Sequence, residues 1–116
     1  MEKKNVIKEK SFEFAKEIVY LYKVLAEKRE YVLSKQLLRS ETSIGANIRE
    51  AEHAQSKADF IHKLSISLKE ANETEYWLDL LFETRYLTIE EFQNVKNKNT
   101  EILKILTSII NTSKKQ

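Results

Sequence analysis

The feature that most constrains this chain is its near lack of helix-breaking residues, since its 116 residues include no proline and one glycine, Gly45. A β-rich fold of this length needs several turn residues to connect its strands, whereas long helices need few. The sequence therefore predicts an all-α fold. The length allows one domain over residues 1–116 with a single core.

Apolar residues recur at spacings of three and four along most of the chain, as in helices that bury one face. The predicted helices cover residues 5–28, 31–54, 57–84 and 88–112. They are expected to pack as an antiparallel up-and-down four-helix bundle. Thr88 and Glu91 match a capping box at the start of the fourth helix. The break between the first two helices contains no breaker, so a continuous helix in a three-helix arrangement is the alternative.

The third helix carries large apolar side chains outside its predicted core stripe, which runs through Leu64, Leu68 and Phe82. Exposed apolar patches favour association, and tryptophan and tyrosine are enriched in protein interfaces. We therefore predict a homo-oligomer whose interface includes residues of the third and first helices. These residues are Ile66, Tyr76, Trp77, Leu80, Tyr20 and Val24.

A line of polar and small residues follows the second helix beside its apolar stripe. Its members are Gln36, Ser40, Ser43, Asn47 and Glu50. This line is interpreted as a structural seam for close helix packing, with a recognition seam as the alternative. On the third helix Glu75 falls within the predicted core stripe, where a carboxylate is buried and hydrogen-bonded or reaches solvent at a seam.

No pattern in the chain predicts catalysis. It has no cysteine, no nucleophile elbow and no glycine-rich phosphate loop. His53 and His62 each follow a carboxylate at the spacing used in di-iron bundles, but both are expected to face outward. We therefore expect no enzyme, no metal and no cofactor. No secretory signal or membrane-spanning run is visible, so a cytoplasmic protein without a membrane partner is expected.

The net charge is +2, but the first 40 residues carry ten Lys and Arg against six Asp and Glu. Cations at a helix N-terminus oppose the helix dipole, which suggests another role such as phosphate contact. The candidate nucleic-acid contacts are Lys3, Lys4, Lys8, Lys10, Lys28, Arg29, Lys35 and Arg39. The alternative for these residues is an ordinary solvated face.

The middle of the chain resembles the "four helix bundle protein" family, first found encoded in intervening sequences of bacterial 23S rRNA genes. The similar segments are residues 36–40, 43–50, 57–60 and 64–67, with Arg39-Ser40 to Glu50 the most specific part. Ala51 stands where many relatives have glycine. The resemblance implies a four-helix bundle in a pentameric ring. It also implies kinship with the accessory variability determinant proteins of diversity-generating retroelements, which bind nucleic acid and a reverse transcriptase.

These observations together predict a non-enzymatic oligomeric adaptor or scaffold that binds RNA or DNA through its basic ends. The alternative is a protein-binding scaffold with no nucleic-acid role. The expected partners are further copies of the chain, RNA or DNA, and another protein.

Overall fold

Four helices pack side by side in the computed structural model, which describes residues 2–116 and their side chains from residue 6 onward. They are α1 Glu2–Glu27, α2 Val32–Ala51, α3 Lys57–Glu83 and α4 Ile89–Lys115. Each helix contacts its neighbours in sequence, and α1 closes on α4, whereas α1 and α3 lie diagonally across the bundle. The predicted all-α four-helix bundle is confirmed. It measures 47 × 21 × 20 Å.

A true turn separates α1 from α2, which excludes the three-helix alternative. The N–H of Glu30 donates to the Leu25 carbonyl at 2.9 Å, and the N–H of Arg29 donates to the Ala26 carbonyl at 2.9 Å. This pair of bonds is a Schellman motif, which needs a left-handed residue. Arg29 supplies it with φ 64°. Arg85 does the same after α3 with φ 72°, so arginine stands at both positions where glycine is usual.

The start of α2 is capped by the carboxylate of Glu30, which lies in the turn. Its oxygens accept from the N–H groups of Val32 at 3.1 Å, Leu33 at 3.0 Å and Ser34 at 2.7 Å. The Ser34 hydroxyl returns a bond to the Glu30 carbonyl at 2.8 Å. Burial acts to raise the pKa of Glu30, but these bonds together outweigh it and hold the pKa below its ordinary value.

Side-chain caps begin both α3 and α4, and the cap of α4 is the predicted capping box. Ser56 accepts from the N–H of Asp59 at 3.0 Å. Thr88 Oγ1 accepts from the N–H of Glu91 at 3.1 Å, and the Glu91 carboxylate accepts from the N–H of Thr88 at 2.8 Å. The capping box therefore satisfies two backbone donors that a helix start leaves free.

The buried stripe of α3 differs from the predicted one because two polar residues belong to it. It consists of Leu64, Ser67, Ala71, Thr74, Leu78 and Leu81. Leu68 and Phe82, which the sequence pattern favours, are only partly buried. The stripe keeps the alternating three-and-four spacing of bundle packing, but it is rotated about the helix axis toward Ser67 and Thr74.

Small polar side chains let α2 and α3 approach closely, and these two helices share the most extensive contact in the bundle. Ser40 Oγ lies 2.9 Å from Thr74 Oγ1. Ser67 Oγ donates to the Ile44 carbonyl at 2.8 Å. Because all of these side chains are buried, each hydrogen bond satisfies a group that water cannot reach.

Candidate functional site

The polar line of α2 and the outer residues of α3 meet along one side of the bundle. Arg39 of α2 forms ion pairs with Glu70, at 3.4 Å, and with Glu73 of α3. Glu50 pairs with Lys63 at 2.9 Å. The Trp77 indole N–H donates to Glu73 Oε2 at 2.9 Å. The α2–α3 side is therefore a polar surface that includes the tryptophan.

Trp77 lies on the flank of α3 rather than opposite its core. It is partly buried and packs against the core cluster, because the buried stripe is rotated toward it. Ile66 and Leu80 are also only partly exposed. Tyr76 is 58% exposed and meets Trp77 edge-on, with ring centroids 5.0 Å apart. We call these four residues the α3 patch, whose exposed member is Tyr76.

A second apolar surface lies on α1. Tyr20 is 69% exposed and Val24 is 38% exposed, and we call this pair the α1 patch. Glu17, one helical turn before Tyr20, accepts from Asn94 of α4 at 3.0 Å and pairs with Lys98. The α1 patch therefore adjoins the α1–α4 side of the bundle, which is opposite the α2–α3 side.

The other members of the polar line bond within their own helix. Arg39 Nε donates to Gln36 Oε1 at 3.3 Å. Asn47 Nδ2 donates to the Ser43 carbonyl at 2.9 Å and to its hydroxyl at 3.2 Å. Ser40 alone in this line is fully buried. The structure thus divides the predicted seam into one buried contact and a partly exposed edge.

Several of the candidate nucleic-acid contacts are engaged in ion pairs inside the chain. Lys8 pairs with Glu52 and Lys10 with Glu101, each at 3.1 Å, and Arg39 pairs as above. The side chains of Lys3 and Lys4 lie outside the described residues. The paired carboxylates offset the positive charge at these positions, so these residues attract phosphate less strongly.

The cations at the α1–α2 turn are different. Lys28 Nζ donates to the Tyr86 carbonyl at 3.3 Å, which leaves its charge without a carboxylate partner among the described residues. Arg29 and Lys35 are exposed, and no ion pair joins either to another described residue. Lys28, Arg29 and Lys35 form what we call the basic end.

The most unusual polar residue, Glu41, was not among the predicted core or site residues. The side chain of Glu41 on α2 is 0% exposed, and neither of its oxygens has a hydrogen-bond partner among the described residues. Burial raises the pKa of Glu41 to about 8. Glu75, for which the sequence leaves open burial or a place at a seam, lies partly exposed at the seam between α3 and α4, 3.5 Å from Lys96.

The two histidines lie on the surface of the bundle, apart from any cluster of potential metal ligands in the described residues. His53 and His62 are exposed, and within the described part of the chain no group of three or more His, Cys, Asp or Glu side chains could hold a metal ion. An open groove of about 270 Å³ runs between α1 and α4, with Glu13 and Lys98 among its lining residues. No helix in the described residues is long and apolar enough to cross a membrane.

Comparison with known proteins places this geometry in a family. The family model described as 23S rRNA-intervening sequence protein matches residues 3–108. A crystal structure of a protein with unknown function from the S23 ribosomal protein family of Bacteroides thetaiotaomicron VPI-5482 is similar to the chain, with a TM-score of 0.93 and 64% identity. The similarity covers 94% of this chain and 98% of that one. No curated protein sequence matches the chain.

Proposed function

This chain belongs to the 23S rRNA-intervening sequence protein family, and from that premise we propose that it is a non-enzymatic scaffold that assembles with copies of itself into a ring. The observation that carries the proposal is the pair of exposed aromatic patches on opposite sides of the bundle. Tyr20 of the α1 patch and Tyr76 of the α3 patch are each more than half exposed. Exposed tyrosines are typical of protein interfaces.

The placement of the two patches favours a ring over a two-fold dimer. In a two-fold dimer one patch pairs with itself, whereas in a ring one patch of each subunit binds a different patch of the next. The α1 patch adjoins the α1–α4 side, where Glu17 contacts α4, and the α3 patch adjoins the α2–α3 side, where Trp77 bonds to Glu73. Two different patches on opposite sides suit the ring, and the family resemblance makes five the expected number of subunits.

Charge-introducing variants of the two tyrosines test this arrangement. Tyr20→Glu and Tyr76→Glu are each expected to lower the mass in light scattering to that of a single chain, 13.7 kDa, because each variant loses one of the two surfaces. Helicity by circular dichroism is expected to stay unchanged, since both side chains are exposed. An equimolar mixture is expected to form dimers, because each variant retains the patch that the other lacks.

Tyr31→Glu is the matched control. Tyr31 is 50% exposed but lies in the α1–α2 turn, outside both patches, so the assembly of this variant is expected to equal that of the unaltered chain. An unaltered chain that runs as a monomer at high concentration would contradict the proposal. A mixture of the two variants that stays monomeric would contradict the ring arrangement.

Binding of RNA or DNA is a second candidate function, which the basic end supports. Lys28, Arg29 and Lys35 lie close together in sequence at one turn, and no described carboxylate neutralises them there. Repetition of this small cluster around a ring would multiply its phosphate contacts, and each added contact steepens the dependence of binding on salt. The cluster is therefore expected to bind RNA or DNA more tightly in the ring than in a single chain.

Reversing the charge of the basic end tests this second candidate. In gel-shift titrations with structured RNA, Lys35→Glu is expected to weaken binding at low salt at least severalfold and to reduce the salt slope. The control is Lys104→Glu, an exposed lysine on α4 away from the α1–α2 turn. Equal losses for both variants, or no retention of RNA by the unaltered chain at low salt, would contradict RNA binding through the basic end. The scaffold role would then be the only one that stands.

A further inference from the structure

We propose that Glu41 is held as a neutral carboxylic acid at the centre of the folded bundle, and that its ionisation loosens the bundle as the pH rises. Glu41 occupies the buried stripe of α2, between Leu37 and Ile44. Its side chain is 0% exposed, and in the part of the chain that the structure describes both carboxyl oxygens lack a hydrogen-bond partner. An ionised carboxylate without water or hydrogen bonds is strongly disfavoured, and such a group takes up a proton instead.

The hydrogen bonds around Glu41 locate it in a polar layer across the middle of the bundle. Ser40 and Ile44, which flank Glu41 on α2, bond to Thr74 and Ser67 of α3. Ala71 lies between those two residues on α3. Its carbonyl accepts from Asn99 Nδ2 of α4 at 2.9 Å. Glu41, Ala71 and Asn99 therefore lie at the same height on three adjoining helices.

Asn99 has a buried acceptor atom that lacks a donor in the described part of the chain, and a protonated acid carries a donor. It is 1% exposed, and no described residue donates a hydrogen bond to its Oδ1. A neutral carboxylic acid carries one O–H donor, whereas a carboxylate only accepts. The unpaired atoms of the layer are otherwise all acceptors, and protonation of Glu41 supplies the layer with an additional donor. Ionisation removes that donor and adds a buried charge.

No cation within the described part of the chain is positioned to neutralise a charge on Glu41. On α2 and α3 the nearest charged groups by height, Arg39 with Glu70 and Glu73, pair with one another at the surface. On α1 and α4, Glu17 pairs with Lys98. Lys96 of α4 pairs with Asp79 and Glu75 of α3. Burial alone raises the pKa of Glu41, to about 8.

The direction of the pH effect follows from that elevated value. The ordinary pKa of 4.5 applies to the unfolded chain and about 8 to the folded one. Between these values the folded state binds one more proton than the unfolded state, so stability falls as the pH rises. Each pH unit lowers the folding equilibrium constant by up to tenfold, or about 1.4 kcal/mol. Above about pH 8 both states are ionised and the effect levels off.

Glu41→Gln is the variant that isolates this effect, because glutamine keeps a donor and the side-chain length but cannot ionise. The folding equilibrium constant of the unaltered chain is measured by urea unfolding from pH 5 to pH 10. It is expected to fall by at least 100-fold between pH 5 and pH 8 relative to that of Glu41→Gln. The control, Glu9→Gln, removes an exposed carboxylate of α1 and is expected to keep the pH profile of the unaltered chain.

The carboxyl carbon of Glu41 gives a second readout that needs no folded variant. In the unaltered protein its nuclear magnetic resonance shift is expected to remain that of a neutral acid at pH 6 and to change between pH 7 and pH 9. A shift typical of a carboxylate at pH 6 would overturn the proposal. Parallel pH profiles for the unaltered chain and a folded Glu41→Gln variant would do so as well.

Discussion

Glu30→Ala is expected to lower the free energy of unfolding at pH 7 by roughly 2–3 kcal/mol, a large loss for one turn residue. The Glu30 carboxylate accepts from three backbone N–H groups at the start of α2. Hydrogen bonds to a charged group contribute about 1.5–3 kcal/mol each, and replacing a capping side chain costs about 0.5–2 kcal/mol. Alanine leaves these donors without their acceptor, and the N–H of the fully buried Ser34 cannot turn to water instead.

The cost of Glu30→Ala is expected to disappear in acid. The folded pKa of Glu30 lies below its ordinary value of 4.5. Its contribution is therefore fully present above about pH 4.5 and is lost as the pH falls through the lower folded value. Urea unfolding at pH 7 and at successively lower pH measures this convergence. The pH dependence that Glu41 confers on stability has the opposite sign. Because its pKa is raised, stability falls as the pH rises above 4.5.

Glu27→Ala is the matched control for Glu30→Ala. It removes the same side chain three residues earlier, where Glu27 is exposed at the end of α1. We expect a change within about 0.5 kcal/mol, as for most surface substitutions. Equal losses for the two variants would show that the carboxylate of Glu30 does not act as the cap of α2.

The turn that Glu30 occupies was also the least predictable part of the fold. The four helices follow from the apolar spacing and the lack of breakers, and the caps at Ser56 and Thr88 follow from local chemistry. The α1–α2 break has no such signal because Arg29 adopts the left-handed conformation in which glycine is usual. That conformation costs arginine about 1–2 kcal/mol, which the three bonds of the Glu30 cap help to offset. Residue propensities include the cost of the left-handed conformation, but they contain no information on the hydrogen bonds that compensate for it.

The orientation of α3 was predicted only in part for a related reason. Ser67 and Thr74 are fully buried, but a hydrophobic pattern treats them as surface residues. Leaving them out rotates the predicted core stripe away from Trp77 and so assigns the tryptophan to the outward face. Their burial depends on hydrogen bonds to Ile44 and Ser40 of another helix, and sequence spacing within α3 does not reveal such partners.

The burial of Glu41, by contrast, could be predicted from the sequence. Glu41 stands four residues after Leu37 and three before Ile44, both fully buried, so the spacing of three and four assigns it to the core. The assumption that carboxylates lie at the surface removed it from the stripe. What the sequence alone does not show is its surroundings, because the absence of a cation near Glu41 in the described part of the chain depends on how α1, α3 and α4 pack.

Asn99→Asp is expected to lower the free energy of unfolding at pH 7 by about 3–5 kcal/mol, the range for leaving a buried charge uncompensated. Asn99 is 1% exposed, and its Nδ2 donates to the Ala71 carbonyl at 2.9 Å. An aspartate cannot make that bond, because it presents an acceptor to the carbonyl. It also adds a second carboxyl group to the layer that contains Glu41.

Asn97→Asp provides the control, since it makes the same chemical change two residues away on the exposed face of α4. It is expected to change the free energy of unfolding by no more than about 0.5 kcal/mol. Urea unfolding of both variants at pH 7 and pH 5 is the measurement. Asn99→Asp is expected to recover part of its loss at pH 5, because the introduced carboxyl group is neutral once protonated and again has a donor for the Ala71 carbonyl. A loss as small as that of the control, or one that does not vary with pH, would mean that water reaches this layer and that Glu41 does not lie in a dry core.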